Sequence, residues 1–302
     1  MVRTYGLATA ASLAASSGMA LSACGGNNFT TGNADASLEA GVATAEASGR
    51  DAPAPSDAPS PSDAGSPGDA ASASWCAGQL SHTFCEDFDE YASVNELFGA
   101  WSSFQQTNGS FKFDSSNAPS PPNALEVIGA NGAQVIVVKT FPVEKQPSTL
   151  RLEFDLRFNS SGNVGFLSAV GLAAIAFGPS VSDGYAALVV GNGPSLSGAW
   201  LDTTDAGTSD AGTFKIANAT GTFPASGVWS ARYAIEVDYT SSTSGCVQVF
   251  QGTTALLSPC LPLPPQLLHP SVVSISLGDY AAGFASTGSI DVEFDNVTFD
   301  IE

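Results

Sequence analysis

Apolar and polar positions alternate with a period of two through much of residues 75–302, which is typical of half-buried β-strands. Residues 229–239 place Trp, Ala, Tyr, Ile and Val at odd positions, and residues 150–158 place Leu and Phe at even positions. Helical periodicity is limited to one or two turns at residues 92–98. Many short strands between Gly-, Asn-, Ser- and Pro-rich turns indicate an all-β sandwich or jelly roll. Further strands are predicted at 133–141, 186–190, 246–250 and 272–277.

The last predicted strand changes phase. Its apolar residues fall on even numbers from 290 to 294 and on odd numbers from 297 to 301. A slip of one residue predicts a β-bulge at Asp295 and Asn296. Bulges change the direction of side chains, so we expect Asp295 to leave the regular outward row.

The alternation of apolar and polar residues is absent from residues 24–74, whose composition differs from that of the rest of the chain. Residues 25–74 consist almost wholly of Ala, Ser, Gly, Asp, Pro, Asn and Thr. Such a segment buries too little apolar surface to offset its ordering entropy, so we expect a disordered tether of roughly 40 Å average span. Residues 75–302 are then one β-domain.

The start of the chain resembles a bacterial lipoprotein signal. Arg3 precedes an apolar run, and Leu21, Ser22 and Ala23 precede Cys24 in the order of a lipobox. The resemblance implies removal of residues 1–23 and lipid modification of Cys24. Because Gly follows Cys24, it also implies the outer membrane of a bacterial envelope. The alternative is an ordinary secretory signal with an incidental cysteine.

The cysteine count fits that interpretation. The chain has five cysteines, and lipidation of Cys24 leaves an even set of four. Three pairings are possible, and the simplest joins Cys76 to Cys85 and Cys246 to Cys260, at about 2–3 kcal/mol for each bond. A metal site is the alternative, but it lacks close C-x-x-C spacing and has only two histidines, His82 and His269, to help.

The net charge of the chain makes nucleic acid an unfavourable partner. Nine basic residues against 29 acidic ones give a formal net charge of −20, which disfavours nucleic acid. The charge is explained by solubility, or by binding of a divalent cation.

Several segments together resemble the concanavalin A-like lectin/glucanase superfamily, which includes laminin G-like domains. They are the opening at residues 85–89 with Trp101, the strand at 229–239, the hairpin at 246–257 and the closing segment at 294–297. The resemblance covers residues 75–302. It implies a concanavalin A-like jelly-roll sandwich of two antiparallel sheets.

The glucanases of this superfamily carry two glutamates and an aspartate on one strand. Glu153 and Asp155 match the first two positions, but Arg157 stands where the second glutamate is expected. Arginine does not titrate near neutral pH, so it cannot protonate a leaving group. Glu153 and Asp155 are therefore weak catalytic candidates, and a solvated sheet face is the simpler interpretation.

The resemblance also implies a structural calcium between the first and last strands, with Asp87 and Asp295 as candidate ligands. Ordinary turn chemistry is the alternative for both residues. Sugar binding needs exposed aromatic rings with polar neighbours, and the candidates are Trp200, Tyr185 and Tyr280. Core packing is the alternative for each of the three.

These observations favour a surface-anchored lipoprotein that acts as a carbohydrate-binding or adhesion module rather than an enzyme. The alternatives are a divergent glycoside hydrolase or polysaccharide lyase, and a purely structural envelope protein. The sequence identifies neither a ligand nor an oligomeric state.

Overall fold

The computed structural model describes the chain from residue 74, with gaps. The described ranges are 74–160, 169–179, 184–191, 195–202, 213–222, 227–229, 232–241, 243–281 and 289–302, with backbone alone for residues 131, 169, 191, 195–202, 213–222 and 281. The helix is α1 (Val94–Ala100), and short 3₁₀ turns cover Trp75–Gly78 and Pro265–Leu267. The strands are β1 (Phe84–Glu86), β2 (Ser103–Asp114), β3 (Ala124–Pro142), β4 (Thr149–Ser160), β5 (Ala169–Ala176), β6 (Tyr185–Gly191), β7 (Ser195–Asp202), β8 (Thr213–Thr222), β9 (Tyr233–Ser241), β10 (Ser244–Gln251), β11 (Thr254–Ala255), β12 (Leu261–Pro262), β13 (Val272–Ala281) and β14 (Ile290–Ile301).

The described strands form a curled antiparallel sheet. Its order is β11-β10-β9-β4-β14-β3-β13-β5-β6-β7-β8, while β1, β12 and β2 pair with β14, β10 and β3. The long strand β3 pairs with β14 through residues 125–129 and with β13 through residues 135–142. Gly132, with a φ of +68°, lies between these two stretches. Strand β3 thus joins a first arm (β9, β4 and β14) to a second arm (β13, β5 and β6).

Alternation along the strands separates two buried clusters. The main core contains Leu152, Phe154 and Leu156 from the first arm and Ile275 and Leu277 from the second. The second cluster lies on the opposite face of the second arm, because its residues alternate with those of the main core. Its members are Ile136, Val138, Ala174, Ala176, Tyr185, Ala187, Val189 and Tyr280.

The predicted strands are present, most of them longer than the sequence pattern indicated. The predicted bulge is confirmed, since the pairing of β14 with β4 shifts between Asp295 and Thr298. Trp229 alternates in phase with buried residues of the predicted strand at 229–239, but it does not lie in the core. Its backbone forms an isolated bridge to Arg157, its side chain is half-buried, and its indole Nε1 donates to the Asn117 carbonyl at 2.6 Å.

Two disulfides join Cys76 to Cys85 and Cys246 to Cys260, each with a Cα–Cα distance of 5.8 Å. The histidines have other partners: His82 contacts Asp300 and His269 contacts Gln146, each at 2.8 Å. Cys24 lies outside the described residues. No helix in the described part of the chain is long and apolar enough to cross a membrane.

Candidate functional site

The first arm carries a charged face, opposite the main core. Strand β4 buries its even-numbered residues and therefore turns the odd-numbered ones outward. Neighbouring strands add residues of both signs to the same face. The charged face, linked by ion pairs, consists of Lys112, Asp114, Glu126, Arg151, Glu153, Asp155, Arg157, Arg232, Glu236 and Glu293, with the uncharged Asn296 bonded to Asp155.

Glu153 and Asp155, the weak catalytic candidates, belong to this ion-pair network. Arg151 Nε lies 2.6 Å from Glu153 Oε1, and Arg232 Nε lies 2.8 Å from Oε2. Burial raises the pKa of Glu153, but the two arginines outweigh it and hold that pKa below its usual value. Burial raises the pKa of Asp155, whose Oδ2 accepts from Asn296 Nδ2 at 2.8 Å. Both carboxylates are therefore engaged in ion pairs or hydrogen bonds with other side chains of the chain.

Arg157 occupies the position of the missing glutamate and bonds to acids on neighbouring strands. Its Nη1 lies 3.1 Å from Glu293 and 3.5 Å from Asp114. A cross-strand row runs from Lys112 through Glu126 and Glu293 to Arg157. Two adjacent carboxylates therefore lie between two cations. No local sequence pattern predicts this row, because its members are up to 181 residues apart in number, from 112 to 293.

The same row includes an acidic triad that could hold a metal ion. One oxygen each from Asp114, Glu126 and Glu293 lie within 4.8 Å of one another. Lys112 bonds to Glu126 at 2.9 Å, and Arg157 bonds to the other two carboxylates. Burial raises the pKa of Glu126 and of Glu293. The two cations already neutralise part of the charge that a metal would need.

Asp295, one of the proposed calcium ligands, is fully buried at the bulge. Its carboxylate accepts from the Ser120 backbone N–H and hydroxyl at 3.0 Å, and from the Asn296 N–H at 2.7 Å. Burial raises its pKa to about 7, against these hydrogen bonds, and Asp89 raises it further. Asp89 in turn accepts from the Asn123 N–H at 2.9 Å.

Asp87, the other proposed ligand, accepts hydrogen bonds at the start of the domain. Its Oδ2 accepts from the Ser74 hydroxyl at 2.5 Å and from the Cys76 N–H at 3.0 Å. Asp89, rather than Asp87, is the opening-segment acid that acts electrostatically on Asp295. A ligand set around Asp295 would therefore draw on Asp89, which sequence reasoning missed.

Glu86 is a buried carboxylate that the sequence did not single out. It accepts from the Phe88 N–H at 2.9 Å, the Tyr91 hydroxyl at 2.8 Å and the Trp101 Nε1 at 3.3 Å. Burial raises its pKa to about 7 despite these donors. Its three partners tie the opening segment to the start of β2, so its role is structural.

The expected exposed aromatics are not exposed where the structure describes them. Tyr185 and Tyr280 are 2% and 3% exposed, and their rings meet edge to face with centroids 5.7 Å apart. Both belong to the second buried cluster, so their prediction as open stacking platforms is wrong, and packing is the observed alternative. Trp200 lies in β7, and its side chain falls outside the described residues.

Asp279, beside Tyr280, is a buried acid with an unpartnered oxygen. The side chain is 2% exposed, and its Oδ1 has no hydrogen-bond partner. Burial raises its pKa to about 7. The carboxylate lies against Gly129, where a Cβ would fall 1.6 Å from Oδ2, so only glycine leaves room for it.

Sequence comparison gives no match to a family model or to a curated protein. Comparison of the fold gives matches along most of the domain. An endo-β-1,4-glucuronan lyase from the fungus Trichoderma reesei matches with a TM-score of 0.51 and 14% identity, covering 74% of this chain and 96% of that one. An alginate lyase from a Chlorella virus matches with a TM-score of 0.50 and 9% identity, covering 74% and 100%.

At these identities the likeness concerns the fold alone. It agrees with the strand-rich, curled antiparallel sheet of this chain.

Proposed function

We propose that this chain is a carbohydrate-active protein that acts on a polysaccharide. The observation that carries the proposal is the match of its sheet to two polysaccharide lyases over nearly their whole length. The fold favours the lyase alternative of the sequence analysis over the lectin-like one. In this proposal the two arms of the sheet are the two layers of a concanavalin A-like jelly roll.

Glycan binding without cleavage is the second candidate, and two observations favour it. Elimination from a uronic acid needs a base to remove a proton and a cation or donor to hold the sugar carboxylate. Burial raises the pKa of Tyr185 and of Tyr280, which makes both poor bases. The arginines of the charged face already bond to carboxylates of the chain.

A panel of polysaccharides separates the two candidates. The purified protein is incubated with a β-1,4-glucan, β-1,4-glucuronan and alginate, and unsaturated ends, reducing ends and binding are measured. Unsaturated ends support a lyase, and binding without new ends supports the second candidate. Absence of both binding and cleavage would overturn the proposal that the protein is carbohydrate-active.

The proposal includes a place in the cell. A lipid on Cys24 and a tether formed by residues 24–74 would hold the domain on the outer membrane of a bacterial envelope. Intact mass measurement of the mature protein tests this. We expect the wild-type chain to start at Cys24 and to carry lipid. If the signal segment is still removed from the Cys24→Ser variant, an ordinary secretory signal is the explanation.

A structural calcium near Asp295 completes the proposal, since carboxylates of Asp89 and Asp295 are hard oxygen ligands. Calcium should raise the melting temperature, and Asp295→Asn should remove that shift. Glu293→Gln is the matched control, because it changes the acidic triad instead. A shift lost only in Glu293→Gln would assign the ion to the triad.

A further inference from the structure

Phe104 is an exposed aromatic residue at an edge of the sheet. It is 47% exposed, whereas the other Phe, Tyr and Trp residues whose side chains the structure describes are buried or half-buried. A single exposed apolar side chain is ordinary on a protein surface, but Phe104 ends a ladder of rings. It stacks on Phe98 with centroids 3.9 Å apart, and Phe98 meets the buried Phe111 edge to face at 5.4 Å. One face of the Phe104 ring is therefore held by Phe98, and the opposite face is open to solvent.

The strand around Phe104 is exposed on both faces and along one edge. Every residue at 102–108 is exposed. Strand β2 pairs with β3 alone among the described strands, so its outer edge offers main-chain N–H and C=O groups. Native sheets commonly protect such an edge with charged residues or proline, but residues 101–111 contain neither. The edge is therefore suited to an uncharged ligand that forms hydrogen bonds.

Gln106 lies on the same face of the strand as Phe104. The two residues pair with Val135 and Val137, both of the main core, and the side chains of paired residues share a face. Residues two apart on a strand are separated by about 7 Å. Gln106 Nε2 donates to the Gly109 carbonyl at 3.2 Å, which orients the amide. A flat ring face and an oriented amide therefore lie side by side on this surface.

We propose that this surface, the ring platform of Phe98, Phe104 and Gln106, docks an uncharged pyranose glycan chain. A sugar ring packs its C–H groups on the open face of Phe104, and a hydroxyl of the chain donates to Gln106 Oε1. A neutral sugar is favoured over a uronate, because a carboxylate would find no cation on residues 101–111. The inference rests on the proposed function and adds a binding surface and a ligand class to it.

The ring platform holds a glycan chain without cleaving it. Neither a phenyl ring nor an amide transfers a proton near neutral pH, so acid–base catalysis would need other residues. A second copy of the protein is the alternative occupant, because the free edge of β2 could pair with the same edge of another copy. The net charge of −20 on each chain opposes that pairing.

The test uses cellohexaose, a neutral β-1,4-linked chain, as the probe. Its affinity is measured by calorimetry for the wild-type protein, Phe104→Leu and Gln106→Ala. Phe104→Leu keeps an apolar side chain against Phe98 but removes the flat ring face, and Phe104→Trp restores a ring. Leu80→Ala is the matched control, because Leu80 is 88% exposed and lies outside the ladder of rings. Melting temperatures, and molecular masses from light scattering, are recorded for all variants.

We expect Phe104→Leu and Gln106→Ala each to bind cellohexaose about fivefold more weakly, as for one lost ring contact or one lost hydrogen bond. Their melting temperatures should stay close to that of the wild-type protein, because both side chains are exposed. Phe104→Trp should bind at least as tightly as the wild-type protein, and Leu80→Ala should bind equally well.

Equal affinities of Phe104→Leu and the wild-type protein would place the sugar elsewhere and overturn the inference, while leaving the proposed function standing. Weaker binding that Phe104→Trp does not restore, or that accompanies a lower melting temperature, would make the ring structural and overturn it too. A wild-type dimer that becomes a monomer in Phe104→Leu would assign the edge to a second copy instead. Failure to bind cellohexaose, with a positive result in the polysaccharide panel, would overturn this inference alone, and failure of the panel as well would overturn both.

Discussion

The charged face and the second buried cluster use polar groups in opposite ways. On the charged face, unpartnered atoms belong to side chains that bond through another atom, as Arg157 bonds through Nη1 while its Nε does not. In the second buried cluster, the Tyr185 hydroxyl lacks a partner altogether, and the ring of Tyr185 packs edge to face against that of Tyr280. The difference indicates that ion pairs hold the first region together, while the packing of rings over small residues holds the second.

The largest expected effect comes from breaking the charged face where it is most buried. In Arg157→Met the Glu293 carboxylate, whose side chain is 1% exposed, loses its cation. We expect the free energy of unfolding to fall by about 3 kcal/mol, as for a buried pair that loses one partner. Urea denaturation measures it.

Lys112→Met is the matched control at the other end of the same row. The Lys112 side chain is 55% exposed, so its pair with Glu126 is screened by water and should contribute less than about 1 kcal/mol. Equal losses in the two variants would contradict the view that burial decides the strength of this row.

The buried aspartates sharpen the comparison, because Asp279 and Asp295 share a pKa of about 7 but differ in their partners. A raised pKa means that the folded state holds a proton that the unfolded state has lost between about pH 4 and pH 7. Stability is therefore greatest below this window and falls as the pH rises, by up to about 1.4 kcal/mol per unit for one group.

Asp279→Asn removes the contribution of the Asp279 carboxyl to this pH dependence of stability. We expect it to be more stable than the wild-type protein at pH 8 and to show a smaller loss between pH 5 and pH 8. Asp295→Asn should be less stable at both values, because an amide NH₂ cannot accept from the Ser120 N–H. Denaturation curves at the two pH values measure both variants, and a destabilised Asp279→Asn at pH 8 would show that the acid has an essential partner.

The smallest effect concerns the start of the domain. The Trp75 ring lies 5.1 Å from the Arg232 guanidinium, which also bonds to Glu153. Trp75→Leu should reduce the free energy of unfolding by no more than about 1 kcal/mol, since the contact is a half-buried cation–π interaction. A loss of several kcal/mol in thermal denaturation would mean that the opening turn is part of the core.

The sequence predicted local features well and long-range pairing poorly. Alternation predicted β4, and a phase slip predicted the bulge at Asp295, because both depend on neighbouring residues. The row from Lys112 to Arg157 depends on strand order, which alternation does not encode. Tyr185 and Tyr280 were expected to be exposed beside polar residues, but strand pairing buries them over small residues such as Ala174 and Gly171.

The proposed action on a polysaccharide is tested most directly by incubating the purified protein with β-1,4-glucuronan and alginate and measuring unsaturated ends and binding. We expect unsaturated ends, as for a lyase. Neither binding nor new ends with any polysaccharide of the panel would contradict the account.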